Sequence, residues 1–154
     1  MAKYYNYLLY SPVLSWFLAQ FSKTVIYYIR NKVLRVERMI GSGGMPSAHS
    51  ATVCSATTAI AVRYGWASPE FAIMFIVTII VVYDAVGVRQ EAGKHAREIN
   101  KINRILAENN LKSADIEQDS KITELKEFIG HKPLEAVVGA MLGIVVALLL
   151  PIKL

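Results

Sequence analysis

From Phe71 to Val82 the chain is almost wholly apolar and dense in isoleucine and valine, opening on Ser68-Pro69-Glu70 and ending at Asp84. An uninterrupted run of this kind reads as a membrane-spanning helix. The serine supplies an N-cap and the proline a first helical residue. The rest of the chain must be compatible with that span. Of 154 residues, 54% are hydrophobic, yet 17 are Lys or Arg and 12 are Asp or Glu. Oily spans joined by polar connections account for this mixture better than one water-soluble core does.

Three further spans are expected. Ser11-Pro12 repeats the serine-proline start, and Val13 to Arg30 is apolar apart from Gln20, Ser22 and Lys23. At ~1.5 Å per residue this stretch covers roughly 27 Å, close to a hydrocarbon core. Pro46 opens a second helix to about Tyr64, rich in Ala48, Ser50, Ala51, Ser55, Ala56 and Ala59. Small residues let membrane helices approach closely, so this helix is expected at the centre. Pro133 opens the last span, Leu134 to Leu150. Between about 90 and 130 lies a polar insertion. It reads as an amphipathic helix carrying Ile99, Ile102, Ile105 and Leu106, a loop near Ser113 to Ser120, and a short helix through Leu125 and Phe128. The fold class is therefore all-α: a single domain over residues 1–154, a multi-pass transmembrane bundle of about four to five membrane helices. The N-terminus lacks the pattern of a cleaved secretory signal and is read as mature protein. Cys54 has no partner for an internal disulfide, and no Cys/His zinc spacing occurs, so neither metal nor cofactor is expected.

Topology then gathers the polar motifs. The helices after Pro46 and Pro69 are joined by a few residues near Ala67 and must run antiparallel. The start of the first and the end of the second share a membrane face. That face receives Gly43 to His49, Asp84 and Arg89, and the charged insertion returns His131 to it. Lys23 and Arg30 arrive there if the first span crosses once. Most lysine and arginine falls on this side, while the other offers Lys3, Arg63 and Lys153. The positive-inside rule makes the loaded face cytoplasmic, in a cell membrane.

Two histidines among several cations suit oxyanion chemistry. Arg and Lys bind phosphoryl oxygens, and glycine amides at a helix start add donors. One histidine can attack phosphorus while another protonates the leaving oxygen. Glu135 follows His131 by four residues, which on a helix places both on one face and lets the carboxylate fix the imidazole tautomer. An aspartate ending an apolar span, Asp84, is a catalytic candidate or a partner for Arg89. Nucleic-acid binding is excluded, because no aromatic stacking platform interleaves the basic residues.

Pro46-Ser47-Ala48-His49-Ser50 resembles the Pro-Ser-Gly-His motif of the type 2 phosphatidic acid phosphatase superfamily, which includes vanadium haloperoxidases. His131-Lys132-Pro133-Leu134-Glu135 is similar to its His-x-Pro-x-Asp stretch, and Lys23 and Arg30 have the Lys-x6-Arg spacing of its first motif. Gly43-Gly44-Met45-Pro46, Tyr83-Asp84-Ala85-Val86-Gly87-Val88-Arg89 and Leu125-Lys126-Glu127 with Gly130-His131 resemble more closely a divergent branch of short bacterial and plastid membrane proteins.

The resemblance implies a metal-independent lipid phosphate phosphatase. His131 would be the nucleophile, His49 the general acid and Glu135 the orienting carboxylate. Lys23, Arg30 and Arg89 would bind the phosphoryl group, helped by Ser47 and the Gly44 amide. Asn31, not proline, follows Arg30, so Arg35 or Arg38 is an alternative phosphate ligand. His95 rivals His131 by its spacing from Arg89, but Ile99 stands where an acid is needed. The expected partners are the bilayer and a lipid phosphate: phosphatidylglycerophosphate or phosphatidic acid at a cytoplasmic face, an isoprenoid diphosphate at an outward one. Homodimerisation could complete a bundle with fewer spans than larger relatives. The competing reading is a non-catalytic protein that keeps an anion or headgroup pocket. A transporter fits least, since Ile73 to Val82 and Val137 to Leu150 carry no charge.

Overall fold

The computed structural model describes residues 6–32, 44–108, 125 and 132–150, and they are all-helical apart from turns and caps. Five helices follow in order: α1 Tyr7–Asn31, α2 Ala48–Tyr64, α3 Pro69–Val86, α4 Val88–Glu108 and α5 Pro133–Leu149.

Local signals explain most of the boundaries. Ser47 and Ser68 cap α2 and α3, their hydroxyls accepting the Ser50 and Phe71 amides at 3.3 and 3.2 Å. At α5, Lys132 is the N-cap, and the Glu135 carboxylate reaches back to accept the Lys132 N–H at 3.2 Å. The α1 start differs from the Ser11-Pro12 expectation, because the helix begins at Tyr7 and holds Pro12 inside. Pro12 removes one helical donor. Tertiary contacts hold the extra turn in place. Tyr7 is buried and its hydroxyl donates to the Ala147 carbonyl at 2.6 Å. Ser11, expected as a cap, instead pairs with Ser55 of α2 at 2.6 Å.

The small-residue helix α2 is central, with α1, α3 and α5 packed around it. Tyr7 at the start of α1 meets Ala147 at the end of α5, and Arg30 at the end of α1 shares a cavity wall with Glu135 at the start of α5, so the two helices are antiparallel. The α2 and α5 helices run parallel, because Gly139 sits on Ser47 and Gly143 on Ala51, one turn further along both helices. A Cβ at either glycine would overlap the carbonyl oxygen beneath it. This Gly-x-x-x-Gly seam brings two backbones together as membrane helices do. Across α2 and α3, Thr57 and Thr78 share a hydrogen bond of 2.6 Å.

Burial is the reverse of a water-soluble domain's. The largest fully buried side chains are Ser11, Ser15, Ser47, Ser50 and Ser55, and the buried hydrophobic core is mostly alanine. Phe17, Phe21, Ile73, Ile76, Ile80, Met141 and Leu148 lie on the outside. Large apolar side chains pointing outward over whole helices mark a surface that water does not solvate. Only Gly87 separates α3 from α4, and the 38-residue stretch Pro69–Leu106 is the one described stretch long enough and, in α3, apolar enough to cross a membrane. Shorter but equally oily, α5 has 17 residues.

Among the described helices α4 packs on α3 alone. Its buried Asn100 brackets Leu125, donating to the Leu125 carbonyl at 2.9 Å and accepting its N–H at 3.0 Å. Leu125 itself is not helical. The expected loop near Ser113 and the rest of the short helix lie outside the described residues.

Candidate functional site

Where α1 ends and α2 and α5 begin, the chain leaves a cavity of about 330 Å³. Its walls include Lys23, Tyr27, Arg30, Gly44, Lys132 and Glu135. Among the described residues, Lys23, Arg30 and Lys132 stand against the Glu135 carboxylate on this wall, so its charge is predominantly positive.

Each wall residue has a local reason for its place. Lys23, Tyr27 and Arg30 fall at i, i+4 and i+7 on α1 and so share one stripe. Lys23 is 5% exposed. Gly44 takes φ +90°, a conformation that suits glycine. A Cβ there would meet the Lys23 stem at ordinary contact distance, 3.4 Å from Cγ, so it is the backbone conformation and not the space that selects glycine. The Ser47 N–H donates to the Glu135 carbonyl at 2.9 Å, which locks the start of α2 to the start of α5 beside the cavity.

The residues expected at the site divide into three groups. Lys23, Arg30, Gly44 and Glu135, far apart in sequence, line the cavity. Ser47, His49, Asp84 and Arg89 are not on its wall. Ser47 is fully buried and engaged in capping α2. His49 stands exposed on the first turn of α2. Asp84 and Arg89 are half-exposed and form an ion pair of 2.6 Å. They lie at the same end of the bundle, since Val86 and Gly87 approach Pro133 across a neighbouring apolar groove. His131, Arg35 and Arg38 lie outside the described residues. Lys132, which follows His131 in the chain, lines the cavity.

Helical spacing between His131 and Glu135 is not available, because α5 begins at Pro133 behind a non-helical Lys132. Glu135 acts first as a cap for its own helix. His95 is exposed on α4, away from the packed bundle. Tyr27 and Lys132 were missed by motif reading. The i, i+4, i+7 stripe through Lys23 would have found Tyr27, and Lys132 carries no comparable signal.

Among the described residues, an all-helical bundle with an apolar exterior and a cationic cavity at one end is the build of a membrane protein. Its sequence matches the Divergent PAP2 family over residues 4–146, and the chain belongs to that family. It is 37% identical over 151 residues to the uncharacterized membrane protein YuiD of Bacillus subtilis (strain 168), covering 94% of each chain. No solved structure matches.

Proposed function

We propose that the protein is a multi-pass phosphatase of the cell membrane that hydrolyses a lipid phosphomonoester at a cytoplasmic face, without a metal. The observation that carries this reading is the cavity itself: Lys23 and Arg30 of α1, Gly44 before α2, Lys132 at the cap of α5 and Glu135 in its first turn meet around about 330 Å³. Family membership supports a phosphatase-related role.

In this reading Lys23, Arg30 and Lys132 hold the phosphoryl oxygens and offset the charge that grows on them. The His131 imidazole attacks phosphorus, forming a P–N bond as the P–O ester bond breaks, and His49 gives its proton to the departing alkoxide. Water then attacks the phosphohistidine, releasing phosphate and restoring both histidines. Arg89, held by Asp84, flanks the same end as a further cation. A headgroup-level cavity in a bundle with an oily exterior suits a substrate whose tail stays in the bilayer, with phosphatidylglycerophosphate and phosphatidic acid first among candidates.

A second reading is favoured by one observation, that His49 and Arg89 stand off the cavity wall. It makes the cavity a non-catalytic headgroup site. Phosphate release from phosphatidylglycerophosphate, phosphatidic acid and an isoprenoid diphosphate, in detergent with chelator present, separates the two. The enzyme reading expects turnover in wild type that His131→Ala and His49→Ala each abolish or reduce at least about a hundredfold. Equal rates in all three proteins would leave only the binding reading.

A further inference from the structure

The first turns of α5 have two sides. One side faces the cationic cavity through Lys132, Leu134 and Glu135. On the other, Ala136, Val137 and Ala140 wall a second cavity of about 620 Å³, closed by Cys54 of α2 and by Thr78 and Val82 of α3. Its volume is that of a small-molecule site, roughly 300–1,000 Å³. The lining is apolar where it counts. The Thr78 hydroxyl is turned to Thr57 and to the Val53 carbonyl, at 2.6 and 3.3 Å, and so is spent within the α2–α3 contact. The space exists because Ala136 and Ala140, one turn apart, present only methyl groups to α3.

We propose that this groove seats one acyl chain of the same lipid whose phosphate enters the cationic cavity. The inference rests on the proposed phosphatase reading for its headgroup site and adds the place where one tail of that lipid is held, between α2, α3 and α5. Two cavities of opposite character share α5 as a common wall, and an amphiphile with a covalently joined anionic head and oily tail is complementary to both at once. The groove borders the outer surface, where Ile79, Tyr83 and Val137 are more than half exposed. A chain can therefore slide in sideways from surrounding lipid without leaving hydrocarbon. Since the tail is oily in either place, the groove adds fit and orientation rather than hydrophobic gain.

The test uses the full-length protein in phosphatidylcholine vesicles doped with phosphatidic acid bearing a photoactivatable diazirine in its tail. Mass spectrometry maps the labelled residues. Labelling concentrated on Ile79, Val82, Val137 and Ala140, and cut about tenfold in Ala140→Phe, is the expected result. Because Cys54 is the sole cysteine, a decyl methanethiosulfonate can plug the groove of already folded protein, and a reductant can reopen it. Plugging should remove the label, reduction should restore it, and Cys54→Ala should be immune. On the catalytic side, plugging should raise KM for long-chain phosphatidic acid about tenfold and leave a soluble aryl phosphate untouched. Label spread as heavily over Phe17 and Phe21 of α1 would overturn the proposal, as would groove label appearing only in crosslinks between two copies. The labelling needs no turnover, so failure of the groove and failure of the phosphatase reading are read separately.

Discussion

Gly143→Ala tests the seam on which both cavities depend. The added Cβ would stand 2.9 Å from the Ala51 carbonyl carbon and 3.0 Å from the Ala51 Cα, all of it backbone that cannot rotate away. Carbon–carbon contacts settle at about 3.5–4.0 Å, so α5 must retreat from α2 by on the order of 1 Å. Overpacking of this kind costs about 1–3 kcal/mol. The retreat also stretches the 2.9 Å bond from the Ser47 N–H to the Glu135 carbonyl past useful length, a further ~1 kcal/mol. The sum is about 2–4 kcal/mol, which at about 2–4 °C per kcal/mol for a chain of this size is a fall of about 4–16 °C in Tm. Circular dichroism in detergent reads this directly. Met141→Ala, which truncates a residue 62% exposed on the outer face of the same helix, is the control and should move Tm little. A Gly143→Ala protein that unfolds within about 1 °C of wild type would refute the close backbone contact.

Three further outcomes are expected. Asn100→Ala strips the Leu125 N–H and carbonyl of their partner. Two lost hydrogen bonds at about 0.5–1.5 kcal/mol each, about 1–3 kcal/mol together, should raise the Leu125 amide exchange rate by roughly 5- to 150-fold. Lys23→Met should weaken binding of inorganic phosphate by at least about tenfold in calorimetric titration, because a charged donor leaves the cavity wall. Glu91 on α4 is held below the usual carboxylate range, first by the hydrogen bond from Lys94 and then by the charge of the same ammonium. A depressed folded value means that the stabilisation is present above the unfolded value and is lost as pH falls through the folded one. Lys94→Gln should return Glu91 to its ordinary titration in a carboxyl-carbon NMR experiment, with no measurable change in Tm, since both groups are exposed.

How far the sequence discloses this molecule depends on the kind of signal. Ser68 announces α3 because a hydroxyl cap is a local device with a local pattern, whereas α2 starts at Ala48 behind a Ser47 cap and not at Pro46, where the proline suggested it. Ser11-Pro12 has the same pattern but a different outcome. Tyr7 and Ser11 find partners on α5 and α2, and distant contacts of that sort override a start signal. The central place of α2 was legible from its small residues. The Gly139-x3-Gly143 seam was equally legible by spacing and was overlooked beside the more conspicuous α2 pattern. At the site, the hairpin argument placed Gly44 at one end, and Lys23 and Arg30 with it if the first span crosses once, while Glu135 was reached only through a helical spacing from His131 that α5, starting at Pro133, does not provide. It could not order the residues within that end, because which side chains share a wall depends on helix rotation. Asp84 with Arg89, equally compatible with catalysis and with pairing from sequence, form an ion pair.

The seam and the site are one construction. Ser47 is both the cap of α2 and the donor to Glu135, and Glu135 both caps α5 and lines the cavity. Any shift of α5 along α2 therefore alters the cavity wall at once. The same shift opens or closes the groove beyond Ala136 and Ala140. A bundle held by backbone contact at two glycines has few ways to relax around a misplaced helix, since no flexible side chain lies between the two backbones. Oily residues that would ordinarily fill a core are left to face the surroundings. At the cavity end of the bundle, Lys23 and Arg30 are fixed on one helix, α1, and Lys132 is fixed as the cap of α5, so the placing of all three depends on how α1 and α5 seat against α2.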